Sequence, residues 1–328
     1  MVESEAQIKR KIICLTPIKN EAWILDSFLK AASLWADHII IADQNSIDNS
    51  VEIAKKYPKV KIIHNEEKSY IESSRQKLLI SEARKIEGDN NIFIAIDADE
   101  FLIDWQESPE WQTIYTLAPG TTIWMDWVNL CPDYESIFYS RGGKALFGYV
   151  DDGTEHEGLQ IHSYRVPFDN KKPQVRFSAI KNLHLQYAFT NRLKAKHRWY
   201  QCLERIKFPK KSRIDIYRQY HHIDLPINDK QPIKKYWLHN NNIFPETING
   251  NQFPWWDDEI LFFFERNGIE YFQKIAIWDR EWLKLNPNIS DPRTIFQKIV
   301  HLWLAKSQSN PFSIYNKIIN KLLRYINW

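Results

Sequence analysis

Residues 92–100 read Ile-Phe-Ile-Ala-Ile-Asp97-Ala98-Asp99-Glu100, an apolar run that ends in three carboxylates. Closely spaced acids repel, and each raises its neighbour's pKa. A divalent cation relieves that conflict, because hard ions such as Mg²⁺ and Mn²⁺ take carboxylate and phosphate oxygens. The segment therefore points to a metal-held phosphate site at the carboxyl end of a strand. An acid-x-acid triplet is also a common solvated turn, so the surrounding chain has to decide between the two.

That chain alternates between two periods. Lys11–Leu15, His38–Ala42, Val60–Ile63 and Ile92–Ile96 read as short apolar strands. Ile24, Leu25, Phe28, Leu29, Ala32 and Trp35 fall on one helical face, with Asn20 as the expected cap. Helices are expected over Val51–Tyr57 and Ile71–Ile86, the second stopped by Gly88-Asp89-Asn90. Strands alternating with helices imply parallel strands joined by right-handed crossovers. Ligands of such sheets bind beyond the carboxyl ends of the strands. Three polar clusters fall there: Thr16–Glu21, Asp43–Asp48 and Asp97–Glu100.

After Asp104 the pattern changes. Thr121–Val128, Lys144–Val150, Leu159–Val166 and Ile180–Gln186 read as strands, so the sheet gains mixed or antiparallel members. From Asn191 to Lys211 the chain is helical, basic and aromatic. Residues 224–258 read as an irregular connection, followed by helices over Glu259–Asn267, Ile269–Leu285, Arg293–Ala305 and Ile314–Trp328. The expected organisation is an α/β domain over 1–223 and a mostly helical extension over 224–328.

Composition narrows the class. The 328 residues are 44% apolar, enough for a large core. A net charge of +3 gives no argument for nucleic acid. Cys14, Cys131 and Cys202 are too scattered for a metal or disulfide framework, which points to a reducing compartment. The polar start Met-Val-Glu-Ser-Glu does not read as a signal peptide, and no apolar stretch reaches the length of a membrane span. A cytoplasmic protein is expected, with a peripheral place at the inner membrane face left open by the C-terminal segment. There Tyr315–Trp328 sets Lys317, Lys321 and Arg324 among Ile318, Ile319, Leu322, Leu323 and Ile326. That is the composition of an interfacial helix, or of one that docks on the protein's own core.

These segments bear a family likeness. Ala42-Asp43-Gln44-Asn45-Ser46-Ile47-Asp48 and the helix after it resemble the second-strand loop of family-2 glycosyltransferases of the GT-A fold. Gln44 and Asn45 stand where the family commonly has its second Asp and a Gly. Lys19-Asn20-Glu21 is similar to the first-strand signature, Arg75 falls where a family arginine often sits, and Asp97-Ala98-Asp99 resembles the metal-binding motif. The likeness covers residues 10–105.

The resemblance implies an α/β fold: a GT-A (nucleotide-diphospho-sugar transferase) Rossmann-like mixed sheet flanked by helices, with a helical C-terminal extension. It implies transfer of a sugar from a nucleotide-diphosphate donor to a saccharide, glycolipid or other acceptor, with Mn²⁺ or Mg²⁺. Asp99 would bind the metal, and Asp97 the metal or the ribose, with Ala98 between them at the donor. Pro17, Lys19, Asn20, Glu21, Asp43, Asn45 and Asp48 would bracket base and ribose, and Arg75 would orient an acid or touch a phosphate. GT-A enzymes often take a further ligand from a later strand, for which His184 is the candidate. His162, alternating between apolar neighbours, would project from its strand toward the acceptor.

Family members typically invert the anomeric centre, which requires a carboxylate within reach of the acceptor hydroxyl. The usual acid pair before a helix is not seen. The densest acidic loop is Asp151–Gly158, with Asp152, Glu155 or Glu157 as candidate bases. The helix Asn191–Lys211 would cover the diphosphate, meet an acidic acceptor, or present a solvated cationic face. Two rival readings remain. A sugar-phosphate nucleotidyltransferase needs a Gly-rich loop after its first strand, and Thr16–Glu21 has no glycine. A non-catalytic carbohydrate-binding protein would account for the 14 Trp, 15 Tyr and 17 Phe without requiring acids at a sheet edge.

Overall fold

Strand β1 (Ile12–Ile18) is apolar on both faces, and its residues divide between two cores. Ile12, Cys14 and Ile18 enter one, and Ile13 and Leu15 the other. β2 (His38–Asp43) and β4 (Ile92–Ala95) divide in the same way, as strands covered on both sides do. Helix α1 (Leu25–Trp35) packs Leu25, Phe28 and Leu29 into the first core. Helix α3 (Glu72–Ala83) packs Leu79, Ile80 and Ala83 into the second. β1 pairs in parallel with β2 and β4, and β2 with β3 (Val60–His64). Helix α2 (Ser50–Ala54) follows the β2 loop. The carboxyl ends of β1, β2 and β4 therefore share one edge. This computed structural model describes residues 10–67, 69–248, 250, 254–326 and 328. The acidic N-terminal start lies outside the described residues.

The second half of the sheet comprises β5 (Glu100–Ile103), β6 (Thr122–Leu130), β7 (Ser136–Val150), β8 (Gln174–His184) and the short β9 (Gln231–Pro232). The order is β3-β2-β1-β4-β7-β6-β8-β5, with β9 on β7. β7 is antiparallel to β4 and β6, β8 parallel to β6, and β5 antiparallel to β8. Three strands thus lie between β4 and β5, although only residues 96–99 join them. At ~4.8 Å per strand a flat sheet would hold them ~19 Å apart, too far for a four-residue turn. Register shifts in β6 between Ile123 and Trp124 and between Asp126 and Val128 mark where the sheet curls. The 96–99 turn becomes a corner, and the Leu185 amide donates to the Asp99 carbonyl at 2.9 Å.

The expected α/β class, with a mixed sheet flanked by helices and C-terminal helices, is the observed one. Local expectations differ at three places. Leu159–Val166 is irregular rather than a strand, and His162 has φ 61°. Its backbone is engaged by α3 instead: the Glu72 amide donates to Gln160 O, and the Glu72 carboxylate accepts from the Ser163 amide, each at 2.9 Å. Asn20 does not cap α1, because its Oδ1 accepts from the Ile47 amide at 2.7 Å. Ile269–Leu285 is not one helix; a 3₁₀ turn at Ile269–Phe272 precedes a short helix whose N-cap, Asp279, accepts from the Trp282 amide at 2.9 Å.

Two compact units divide the chain, Met1–Phe189 with Asp229–Gln252, and Thr190–Asn228 with Phe253–Trp328. The expected division after residue 223 falls inside the second. The first unit also holds α4 (Pro109–Thr113) and α7 (Lys235–His239), whose Trp237 donates to Asp104 at 2.8 Å. The stretch expected to be irregular thus returns to the sheet. The second unit consists of α5 (Thr190–Lys207), α6 (Arg213–Tyr220), α8 (Trp255–Asn267), α9 (Arg280–Leu285), α10 (Ile295–Lys306) and α11 (Ile314–Tyr325). In α5, Arg198 pairs with Asp257 at 3.1 Å and Asp279 at 3.2 Å, and Arg192 lies over the Trp256 ring. These cations are used inside the helical unit rather than displayed as a solvated face. Among the described residues, no helix is long and apolar enough to cross a membrane.

Candidate active site

The loops after β1 and β2 are tied together. The Asn20 amide donates to Ser46 Oγ at 2.8 Å, the Glu21 amide to Ser50 Oγ at 2.8 Å, and the Ala22 amide to Asp48 Oδ2 at 3.0 Å. Asp48 also accepts from the Ser50 hydroxyl, so it braces the two loops instead of facing a ligand. Asn20 and Asn45 have φ of 55° and 54°. The left-handed region strains L-residues but is tolerated by Asn, which explains why Asn45 can stand at the family's usual glycine position. Gln44 is buried and donates through Nε2 to Glu67 O at 3.1 Å, propping the loop after β3. Asp43, at the end of β2 and paired in register with Ile18, accepts weakly from the Ser46 amide at 3.3 Å. Pro17 lies within β1, while Lys19 and Glu21 follow it in the tied loop, where Glu21 accepts from the Trp23 indole at 2.5 Å. On α3, the Arg75 guanidinium lies over the Tyr70 ring at 4.7 Å.

The acidic corner is built differently from the expected three-ligand metal site. Glu100 is fully buried; its Oε2 accepts from the Asp97 amide at 2.8 Å and its carboxylate from Arg165. Arg165 also donates to Asp97 Oδ2 at 3.0 Å. Burial opposes the Arg165 charge, but Asp97 and Glu100, with Asp99 beyond them, outweigh it and raise its pKa. The guanidinium carbon sits 5.5 Å from the Trp127 and Phe147 ring centres. The other acid, Asp99, has Oδ2 3.3 Å from His184 Nε2, and the His184 ring stacks on Trp127 at 5.2 Å. Ala98 is buried in the core.

Among the described residues, no group of three His, Cys, Asp or Glu side chains is arranged for a metal ion. Asp97 turns its Oδ2 to Arg165 at 3.0 Å. Asp99 and His184 do fit a metal that takes most of its shell from substrate. Their 3.3 Å approach lacks hydrogen-bond geometry, and both buried ring nitrogens of His184 are without a hydrogen-bond partner. Such orphaned nitrogens are costly unless a ligand takes them up. One carboxylate and one imidazole, completed by phosphate oxygens and water, suit Mn²⁺ or Mg²⁺.

The expected catalytic loop starts at the wrong edge. Because β7 is antiparallel to β4, Val150 pairs with Ile92, at the amino end of β4. Asp152 follows two residues later, some five residues of strand, roughly 16 Å, from the Asp97 edge. There its carboxylate is bound by Tyr149, Lys172 and the Thr154 amide. Glu155 lies beside Arg84 at 3.6 Å, at the far end of α3. The chain then climbs α3: Arg84 donates to Thr154 O at 2.7 Å, His156 meets Gln76 at 2.9 Å, and Gln160 O is reached by the Glu72 amide. Glu157 is exposed on that climb, nearer the carboxyl edge than its two companions.

Sequence reading missed Arg165 and Trp127. Three clustered acids imply a cationic partner, but nothing along the chain says which of 44 Lys and Arg residues supplies it.

The segment that builds this edge has known relatives. Residues 14–104 match the model of glycosyl transferase family 2. The match spans β1 to β5 and takes in both tied loops and the acidic corner, and with the mixed sheet and C-terminal helices it identifies the fold class as GT-A. No curated protein matches the chain. Among solved structures, the chain is similar to glucosyl-3-phosphoglycerate synthase from Mycobacterium tuberculosis in complex with Mn²⁺, uridine diphosphate and glucosyl-3-phosphoglycerate, at 19% identity and TM-score 0.27, over 36% of this chain and 44% of that one. It is similar to HddC from Yersinia pseudotuberculosis at 13% identity and TM-score 0.31, over 53% and 93% of the two chains. A 4-diphosphocytidyl-2C-methyl-D-erythritol synthase follows at 15% identity and TM-score 0.23, over 28% and 48%. The chain thus spans less than half of the mycobacterial enzyme, and the family-2 match is what bears on function.

Proposed function

We propose that the protein is a glycosyltransferase that moves a sugar from a nucleotide-diphosphate donor to a saccharide or glycolipid acceptor, with inversion at the anomeric carbon. The observation that carries this reading is the gathering of the Thr16–Glu21, Asp43–Asp48 and Asp97–Asp99 segments at the carboxyl ends of adjacent parallel strands. Asp43 and the tied Asn20 and Asn45 turns form the side for base and ribose. Asp99 and His184 form the side for the diphosphate and would hold Mn²⁺ or Mg²⁺. A metal bound there would neutralise charge on the leaving diphosphate.

The remaining roles belong to the chain itself. Arg165 fixes the corner: through Asp97 and Glu100 it sets the turn that carries Asp99. Trp127 supports the His184 ring from one face. Inversion needs a carboxylate that takes the proton of the acceptor hydroxyl as that oxygen attacks the anomeric carbon and the diphosphate departs. We assign this role to Glu157, the candidate of its loop nearest the carboxyl edge of the sheet.

The test is hydrolysis or transfer from a panel of nucleotide sugars with and without Mn²⁺. Metal-dependent release of nucleoside diphosphate, lost in Asp99→Ala, is the expected result. Turnover without metal, or full activity in that variant, overturns the site.

A further inference from the structure

Helix α11 docks by the face opposite to the one a core helix uses. Its buried side chains are Asn320 and Leu323, with Asn316 half-buried on the same side. Ile314, Tyr315, Ile318, Ile319, Leu322 and Tyr325 point the other way, and Tyr315 and Tyr325 are 80% and 89% exposed. At about 100° per residue, the buried set spans about 60° and the apolar set about 140° on the far side of the helix. Lys317, Lys321 and Arg324 fill the sector between them. Leu323 is held in a small core with Ile214, Tyr217, Val300 and Leu304, so the helix is anchored while its apolar face remains open. An amphipathic helix ordinarily buries its apolar stripe against the core.

Charge indicates what covers that stripe. From Pro292 to Trp328 the chain has six Lys and Arg and no Asp or Glu. Arg293 and Lys298 meet Asp291 at 2.9 and 3.3 Å, and Arg324 meets Asp215 at 2.5 Å. Lys317 and Lys321 have no ion pair among the described residues. A second copy seated on this face would bring like charges together. An anionic bilayer satisfies both features, with apolar side chains at the acyl boundary, tyrosines at headgroup level and lysines on the phosphates.

We propose that α11 docks the protein on an anionic lipid bilayer, with Ile318 and Leu322 inserting and Lys317 and Lys321 contacting headgroups. The docking does not depend on glycosyl transfer and is tested without donor or acceptor. The full chain is floated with vesicles of phosphatidylcholine alone and of phosphatidylcholine with phosphatidylglycerol. Binding to the mixed vesicles, weakened by salt and at least ~tenfold weaker on the neutral ones, is expected. The double variant Ile318→Glu/Leu322→Glu should lose binding to both vesicles by ~tenfold or more. The variant Lys317→Glu/Lys321→Glu should lose only the anionic preference. All four side chains are exposed, so unfolding midpoints should not move. No binding to either vesicle, or binding unaffected by Ile318→Glu/Leu322→Glu, overturns the proposal. A concentration-dependent dimer dissolved by that variant, without vesicle binding, overturns it in favour of a second copy.

Discussion

Arg165 donates to Asp97 at 3.0 Å and grips the buried carboxylate of Glu100 with the same guanidinium. Of the three acids that end the β4 segment, two thereby shape a corner, and the third, Asp99, lies 3.3 Å from His184 Nε2. The conflict among clustered carboxylates is relieved first by an arginine.

This division predicts a split between folding and chemistry at neighbouring acids. Arg165→Ala leaves the Glu100 charge buried and unpaired, which should cost about 3–5 kcal/mol. The denaturation midpoint, followed by tryptophan fluorescence, should fall sharply. Arg165→Lys should recover only part of it, because an ammonium cannot serve Asp97 and both Glu100 oxygens from one plane. An unchanged midpoint in Arg165→Ala would mean that Glu100 has another partner.

At the ligand side the expectation is reversed. Asp99→Ala should leave the midpoint within about 1 kcal/mol of the parent while removing donor turnover by roughly 10²-fold or more. His184→Ala should raise the Mn²⁺ concentration needed for half-maximal turnover by roughly 10–100-fold. Steady-state rates across a metal titration distinguish these outcomes.

Asp152 and Glu157 offer a second contrast. Burial opposes ionisation of Asp152, but Lys172, Tyr149 and Thr154 outweigh it and hold its pKa below the usual carboxylate range. A depressed acid contributes stability that is present above its unfolded pKa of about 3.9 and lost as pH falls below it. Asp152→Asn should therefore cost about 1–2 kcal/mol at neutral pH, with the deficit shrinking in acid, and leave kcat nearly unchanged. Glu157→Gln should lower kcat by roughly 10²–10⁴-fold without altering stability. A large kcat loss in Asp152→Asn would return the base to the other edge.

The helical unit should weaken in mild acid. Burial lowers the pKa of His301 to about 4 and of His197 to about 3. His301 Nδ1 accepts from Arg293 at 3.0 Å, so Nε2 carries the hydrogen donated to Lys274 O at 3.2 Å. His197 Nδ1 donates to Tyr220 O at 2.8 Å. Unfolded histidines titrate near 6.5, so between that pH and the folded values the unfolded chain binds protons that the folded one does not. Stability should fall as pH drops through this window, by up to about 1.4 kcal/mol per unit for each group. Thermal midpoints from pH 7 to pH 4.5 measure it, and His197→Gln/His301→Gln should flatten the profile.

Much of the first hundred residues was legible in order of sequence. Alternating periods in Ile12–Ile18, Leu25–Trp35 and Ile92–Ala95 depend on neighbours a few residues apart, and each element formed where its pattern predicts. Crossover connections then place the ends of β1, β2 and β4 together without knowledge of any long-range contact. Asn45 was legible as an exception to the family pattern, and its left-handed φ supplies the reason.

What the sequence by itself determined is the alternating fold and the polar edge at Asp43 and Asp97–Asp99, because strand and helix periods are local properties. What only the tertiary structure decided is which partners the acids meet and which loop lies near them. Arg165 comes from a segment whose alternation reads as a strand but which is irregular in the fold, and it draws Asp97 and Glu100 into the corner. The antiparallel direction of β7 sends Asp152 to the opposite edge, and direction is set by pairing between distant strands. Likewise, α11 has an amphipathic pattern in either reading, and its anchoring through Asn320 and Leu323 is what leaves the apolar face outward.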